Sequence, residues 1–161
     1  MSRAVWTGLA IAGAVLVETG LGYLVPAPGR YLDPFLLVAI YCSLVGGELH
    51  GMLAGCAAGW VQDTLFGGRV LGLSALSKML VGFAVGVAAG RFLIASAAAR
   101  ALVVLLATVA DALLVRWLVS VFSLEATVLP PLALASRATV NALAGGALFA
   151  LVDRRRERSL P

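Results

Sequence analysis

The sequence predicts an all-α, polytopic membrane protein with six transmembrane helices in one bundle. Three observations predict it. Of 161 residues, 61% are hydrophobic and 12% charged, whereas a soluble domain carries about 25% charged residues; the mean hydropathy is +1.02. The apolar residues fall into six runs bounded by charge, proline or glycine. Within the third and fourth runs glycine recurs every fourth residue, at Gly47, Gly51, Gly55 and Gly59, then at Gly82, Gly86 and Gly90. In water each interior glycine costs a helix about 1 kcal/mol relative to alanine. In a bilayer, where lipid is as apolar as leucine, helices associate by close backbone approach and small residues provide the face for it. Close packing within the chain and a face for a partner's helix both fit these stripes.

The first span, about 4–25, follows Arg3 as a signal peptide would, but it contains Glu18 and continues to Tyr23 without a cleavage site, so it is expected to stay attached. Pro26 and Pro28 break it. The second span, about 33–47, opens on Asp33-Pro34, and the third, about 50–66, ends at the Gly67-Gly68 turn. Both are near or below the roughly 20 residues that cross a bilayer, so they tilt little or thin it locally. The fourth, about 70–90, stops at Arg91. The fifth, about 101–122, follows Arg100, and the last, about 131–152, starts at Pro130-Pro131 and ends before an arginine-rich tail. No connection is long enough for a soluble domain, so residues 1–161 read as a single integral membrane domain.

Orientation follows from the basic residues. With six spans, Arg3, Arg91, Arg100, Arg154, Arg155, Arg156 and Arg158 lie on one side against Arg30 and Arg69 on the other. The excess of basic residues marks the cytoplasmic side and puts both termini there. The net charge of +4 is therefore topology; the arginines do not cluster among aromatics as a nucleic-acid surface requires. The tail itself suits an anchor on anionic lipid or a docking site for a cytoplasmic protein.

Three acids and three bases remain inside the spans: Glu18, Asp63 and Asp111 with Lys78, Arg116 and Arg137. An ionised side chain at mid-bilayer costs at least about 2.5–3.5 kcal/mol, so these should face inward and pair. From the rise of a helix, five of the six fall in the outer half and Asp111 near the middle, with Asn141 one turn from Arg137. Asp63 is expected to match a base among Lys78, Arg116 and Arg137. The cluster reads either as a structural ion-pair network or as an outward-facing polar cavity for a ligand or a partner's transmembrane segment.

Catalytic chemistry finds no support. The chain lacks HExxH, GxSxG and a phosphate-binding Gly-rich loop, and His50 is its one histidine. Cys42 and Cys56 lie in apolar runs without a CxxC and read as small core hydrophobes. Ser74 and Lys78 are one turn apart, a spacing that recurs by chance. No catalytic, cofactor or metal residue is expected.

Gly51, Gly55 and Gly59 leading to Asp63, then Phe66-Gly67-Gly68, Leu71-Gly72-Leu73-Ser74-Ala75-Leu76 and Leu80-Val81-Gly82-Phe83, resemble the central signature of the rod-shape-determining MreD family. The resemblance covers roughly residues 46–90. It implies a non-enzymatic inner-membrane scaffold subunit of the bacterial cell-elongation machinery, which directs lateral peptidoglycan synthesis. The implied partner is MreC, with MreB, RodA and a class B penicillin-binding transpeptidase in the wider complex. It also implies a fold similar to the substrate-binding subunits of energy-coupling-factor vitamin transporters, which makes such a subunit the alternative function. Few aromatic or amide groups stand near the outer loops beyond Tyr31, Trp60 and Trp117, which counts against a vitamin site.

Overall fold

A computed structural model of the chain describes residues 2–24, 31–66, 70–92, 96–124 and 130–157. Among these residues every regular element is a helix: α1 (Arg3–Leu24), α2 (Pro34–Gly46), α3 (Glu48–Leu65), α4 (Leu73–Arg91), α5 (Ala97–Val121) and α6 (Pro131–Glu157). The breaks at Pro26 and Pro28, the Gly67-Gly68 turn, and Arg30, Arg69 and Arg158 lie outside the described residues, as do the side chains of Arg154, Arg155 and Arg156.

Each helix coincides with one apolar run, but the six are not equivalent. Four are long and apolar enough to cross a membrane: α1, α4, α5 and α6 over Pro131–Phe149. Helix α2 has 13 residues, which at 1.5 Å per residue is about 20 Å against a hydrocarbon core of about 30 Å. Helix α3 has 18 residues but carries Glu48, His50, Gln62 and Asp63, so its composition, not its length, sets it apart.

The short helix is the centre of the fold. Phe35, Leu36, Ala39, Ile40 and Ser43 of α2 are fully buried, and among the described residues α2 packs against all five other helices. A helix that is apolar all round belongs inside a protein, and α2 meets that description. Leu36, Leu37 and Ile40 join Val81 and Val85 of α4, Val104 and Ala107 of α5, and Phe149 of α6 in one core. A smaller cluster joins Ala14, Phe35 and Ala58.

The burial pattern is inverted relative to a soluble protein. Trp6, Leu16, Leu102, Leu113, Trp117, Leu132 and Leu143 are exposed, while Glu18, Asp33, Asp63, Lys78, Asp111 and Asn141 are buried. Such a surface needs an apolar surrounding, and such an interior needs every polar group to find a partner.

Local chemistry sets the helix ends. Asp33 caps α2, its carboxylate accepting from Leu36 N–H at 2.9 Å, and Pro34 occupies the first turn where its missing N–H is harmless. Helices α2 and α3 are joined through Gly47 alone, at φ +82°, a left-handed backbone that glycine adopts without penalty. Ser96 caps α5 by accepting from Ala99 N–H at 3.1 Å.

The seam between α3 and α4 brings backbone against backbone, and it is made of glycine. A Cβ at Gly55 would fall on the backbone carbonyl of Lys78, and one at Gly82 on that of Gly51. At Gly59 it would lie 2.5 Å from the Ala75 backbone, and at Gly86 it would strike Glu48. Ser43 of α2 donates to the Gly82 carbonyl at 2.8 Å, so the third helix enters the same contact. Gly47 and Gly90 stand apart: a Cβ at either would meet nothing within 4 Å.

Candidate functional site

The buried cluster is assembled from four helices around the N-terminus of α2. Because Asp33 caps that helix with one carboxylate oxygen, its other oxygen is left to accept charge. Lys78 of α4 approaches it at 2.9 Å, and Arg137 of α6 pairs with it through Nη2. Both bases also face Asp111 of α5, Lys78 at 3.8 Å and Arg137 at 3.5 Å. Two acids and two bases thus balance. Asp33 is fully buried, Lys78 and Asp111 each 2% exposed, and at that burial an unbalanced charge would be costly.

Neutral groups complete the set. Ser77 donates to Asp111 at 2.7 Å. Asn141 accepts from the Asp33 backbone N–H at 2.9 Å and donates to Thr108 at 3.2 Å, tying α6 to α2 and α5. Glu18 of α1 is buried and interacts electrostatically with Asp33, Arg137 and Lys78, yet its Oε2 has no hydrogen-bond partner among the described residues.

Two expected members stand elsewhere. Asp63 does not pair with Lys78, Arg116 or Arg137 among the described residues; its Oδ2 accepts from the N–H groups of Gly72 at 2.9 Å, Ser74 at 3.0 Å and Ala75 at 3.4 Å. The physical reason is that α4 starts at Gly72, at φ +92° and with no capping side chain of its own, so its first N–H groups need an acceptor from another helix. Replacing Asp63 by Ala is expected to cost about 1–2 kcal/mol, the range of a lost N-cap, with Asp63→Asn retaining most of the stability. Thermal unfolding in detergent measures this, and restoration of Asp63→Ala by neutralising Lys78 would contradict the capping role. Arg116 is exposed and forms no ion pair among the described residues. Lys78, held by Asp33, is committed to charge balance rather than to Ser74.

Beside the cluster lies a cavity of about 220 Å³ between α3, α4, α5 and α6. Gln62, Ser74, Lys78, Asp111, Arg116 and Arg137 provide its polar wall. Among the described residues no three His, Cys, Asp or Glu side chains converge as metal ligands would. Cys42 and Cys56 are free thiols, the first buried.

Asp33 is the functional residue that sequence reasoning missed. An Asp-Pro pair at a helix start signals a cap, and the capping role conceals that a carboxylate has a second oxygen. Its signal was present: an acid at the head of an apolar span, in a chain whose other spans carry bases.

No curated protein and no solved structure matches the chain. The family model described as rod shape-determining protein MreD matches residues 8–148. That stretch runs from α1 into the last turns of α6's apolar part and contains every member of the cluster, which bears out the resemblance read from residues 46–90. Together with four helices long and apolar enough to cross a membrane, it marks an integral membrane protein. The chain belongs to the rod shape-determining protein MreD family, and its role lies in determining rod shape.

Proposed function

We propose that this chain is a non-enzymatic scaffold of the bacterial inner membrane, one membrane-embedded body of six spans with both termini in the cytoplasm. In this reading it serves the cell-elongation machinery by holding MreC, and through it MreB, RodA and a class B transpeptidase, at sites of lateral wall synthesis. The observation that carries the reading is the inverted burial: the charged groups of the cluster neutralise one another, while an apolar perimeter faces outward. A protein so arranged has its ionisable chemistry committed to cohesion and its surface free for lipid and neighbouring helices. The transporter-subunit alternative gains nothing from family membership.

Two measurements test it. Affinity purification of the full chain in mild detergent should co-isolate wall-synthesis membrane proteins; a transporter ATPase set in their place would overturn the reading. Reporters fused after Pro161 and in the Gly67-Gly68 turn should localise to opposite faces, the former in the cytoplasm, as the seven-to-two arginine asymmetry requires.

A further inference from the structure

The cavity beside the cluster has more cation than its own walls consume. Lys78 and Nη2 of Arg137 are engaged by Asp33 and Asp111. Three polar groups on the wall are not engaged. Arg137 Nε is buried with no hydrogen-bond partner, and so is Gln62 Oε1; the guanidinium of Arg116 has no ion pair among the described residues. A buried donor left unmatched is costly, and these groups come from three helices, α6, α3 and α5, around one space. The Gln62 amide can present either its oxygen or its nitrogen to that space. The first turn of α6, at Pro131, also lines it, and a helix N-terminus favours negative charge.

We propose that this cavity binds a phosphate group. Nη2 of Arg137 is already taken by Asp33 and Asp111, which leaves Arg116 of α5, the Gln62 amide of α3 and the first turn of α6 among the groups that line the space. Groups from three separate helices suit the several oxygens of a tetrahedral anion better than the single plane of a carboxylate. Arg116, exposed on the wall, supplies the countercharge, and the Gln62 amide adds a polar contact. At about 220 Å³ the space is smaller than the roughly 300–1,000 Å³ of a typical small-molecule site, so it holds a headgroup rather than a whole amphiphile. Leu113 and Trp117, exposed beside Arg116 on α5, offer apolar surface to anything attached. The phosphate is therefore that of a lipid headgroup or of a soluble phosphate ester. The proposal does not depend on the scaffold role.

The test uses the purified full chain in nonionic detergent, followed by thermal unfolding against increasing dihexanoyl phosphatidic acid, inorganic phosphate or dihexanoylglycerol. Saturable stabilisation by the phosphatidic acid is expected, because a ligand that binds the folded state raises its stability with concentration. Arg116→Gln should weaken the apparent affinity at least tenfold and Arg91→Gln should leave it unchanged. Stabilisation by the phosphatidic acid alone assigns a lipid source; stabilisation by inorganic phosphate as well assigns a soluble one. Gln62→Leu provides a second variant should Arg116→Gln fail to fold. The proposal is overturned if neither phosphate compound stabilises saturably, if dihexanoylglycerol does so equally, or if folded Arg116→Gln and Gln62→Leu both bind as the parent chain does.

Discussion

Neutralising Asp33 is expected to be the most damaging charge change in the chain. Asp33→Asn keeps an oxygen to cap α2, since Asn and Asp are equivalent caps. It nevertheless strips Lys78 of its partner at 2.9 Å and removes one of the two carboxylates facing Arg137. Breaking a buried pair from one side costs about 3–5 kcal/mol, a large part of the roughly 5–15 kcal/mol that holds a domain folded. Membrane abundance should fall sharply, and Asp33→Ala should fall further by about 1 kcal/mol for the lost cap. Adding Lys78→Gln to Asp33→Asn leaves Arg137 with Asp111 and should restore part of the loss, since groups in one network couple by about 0.5–3 kcal/mol. Thermal unfolding of the two single variants and the double variant measures that coupling; strictly additive losses would mean the cluster is not a network.

A single methyl group at Gly55 is expected to force α3 away from α4. The new carbon would land on the Lys78 carbonyl, and backbone cannot turn aside as a side chain can. Overpacking costs about 1–3 kcal/mol where neighbours can adjust, and here they cannot, so Gly55→Ala should fall at or beyond the top of that range and Gly59→Leu beyond it. Because the struck residue is Lys78, damage to the seam also displaces a charge of the cluster. Gly8→Ala and Gly90→Ala, which meet open space, should leave extraction yield and unfolding temperature unchanged. Normal stability in Gly55→Ala would show that the two backbones do not touch.

The sequence carries the helices plainly because long apolar runs and proline or glycine breaks are local signals. Their ends shift where capping, not hydropathy, decides. Helix α5 begins at Ala97, four residues ahead of the expected 101, because Ser96 supplies a cap. Helix α4 begins at Leu73 rather than 70 because Gly72 takes a left-handed backbone and Asp63 receives the N–H groups behind it. The cluster was legible in part for the same reason. Charge count and depth single out Glu18, Asp63, Lys78, Asp111, Arg116, Arg137 and Asn141, of which Asp63 and Arg116 stand outside the ion-paired cluster among the described residues. They do not say which acid serves which base. Asp63, expected to meet a base, caps α4. Asp33, read only as the opening of a span, both caps α2 and takes the bases in its place, an exchange of partners between two acids. That exchange is invisible to periodicity, since it depends on which helix end lies beside which side chain. The fourfold glycine spacing likewise runs on to Gly47 and Gly90, where an added Cβ would meet open space.

The central position of α2 has a consequence for biogenesis. Asp33 leaves the ribosome 45 residues before Lys78 and 104 before Arg137. For those 45 residues the membrane therefore holds a 13-residue apolar segment that is shorter than the hydrocarbon core is thick and is headed by a carboxylate with neither of its bases. Its two bases arrive with α4 and α6, so the second half of the chain completes the charge balance of the first. The charge balance around α2 is complete only once α6 has been made.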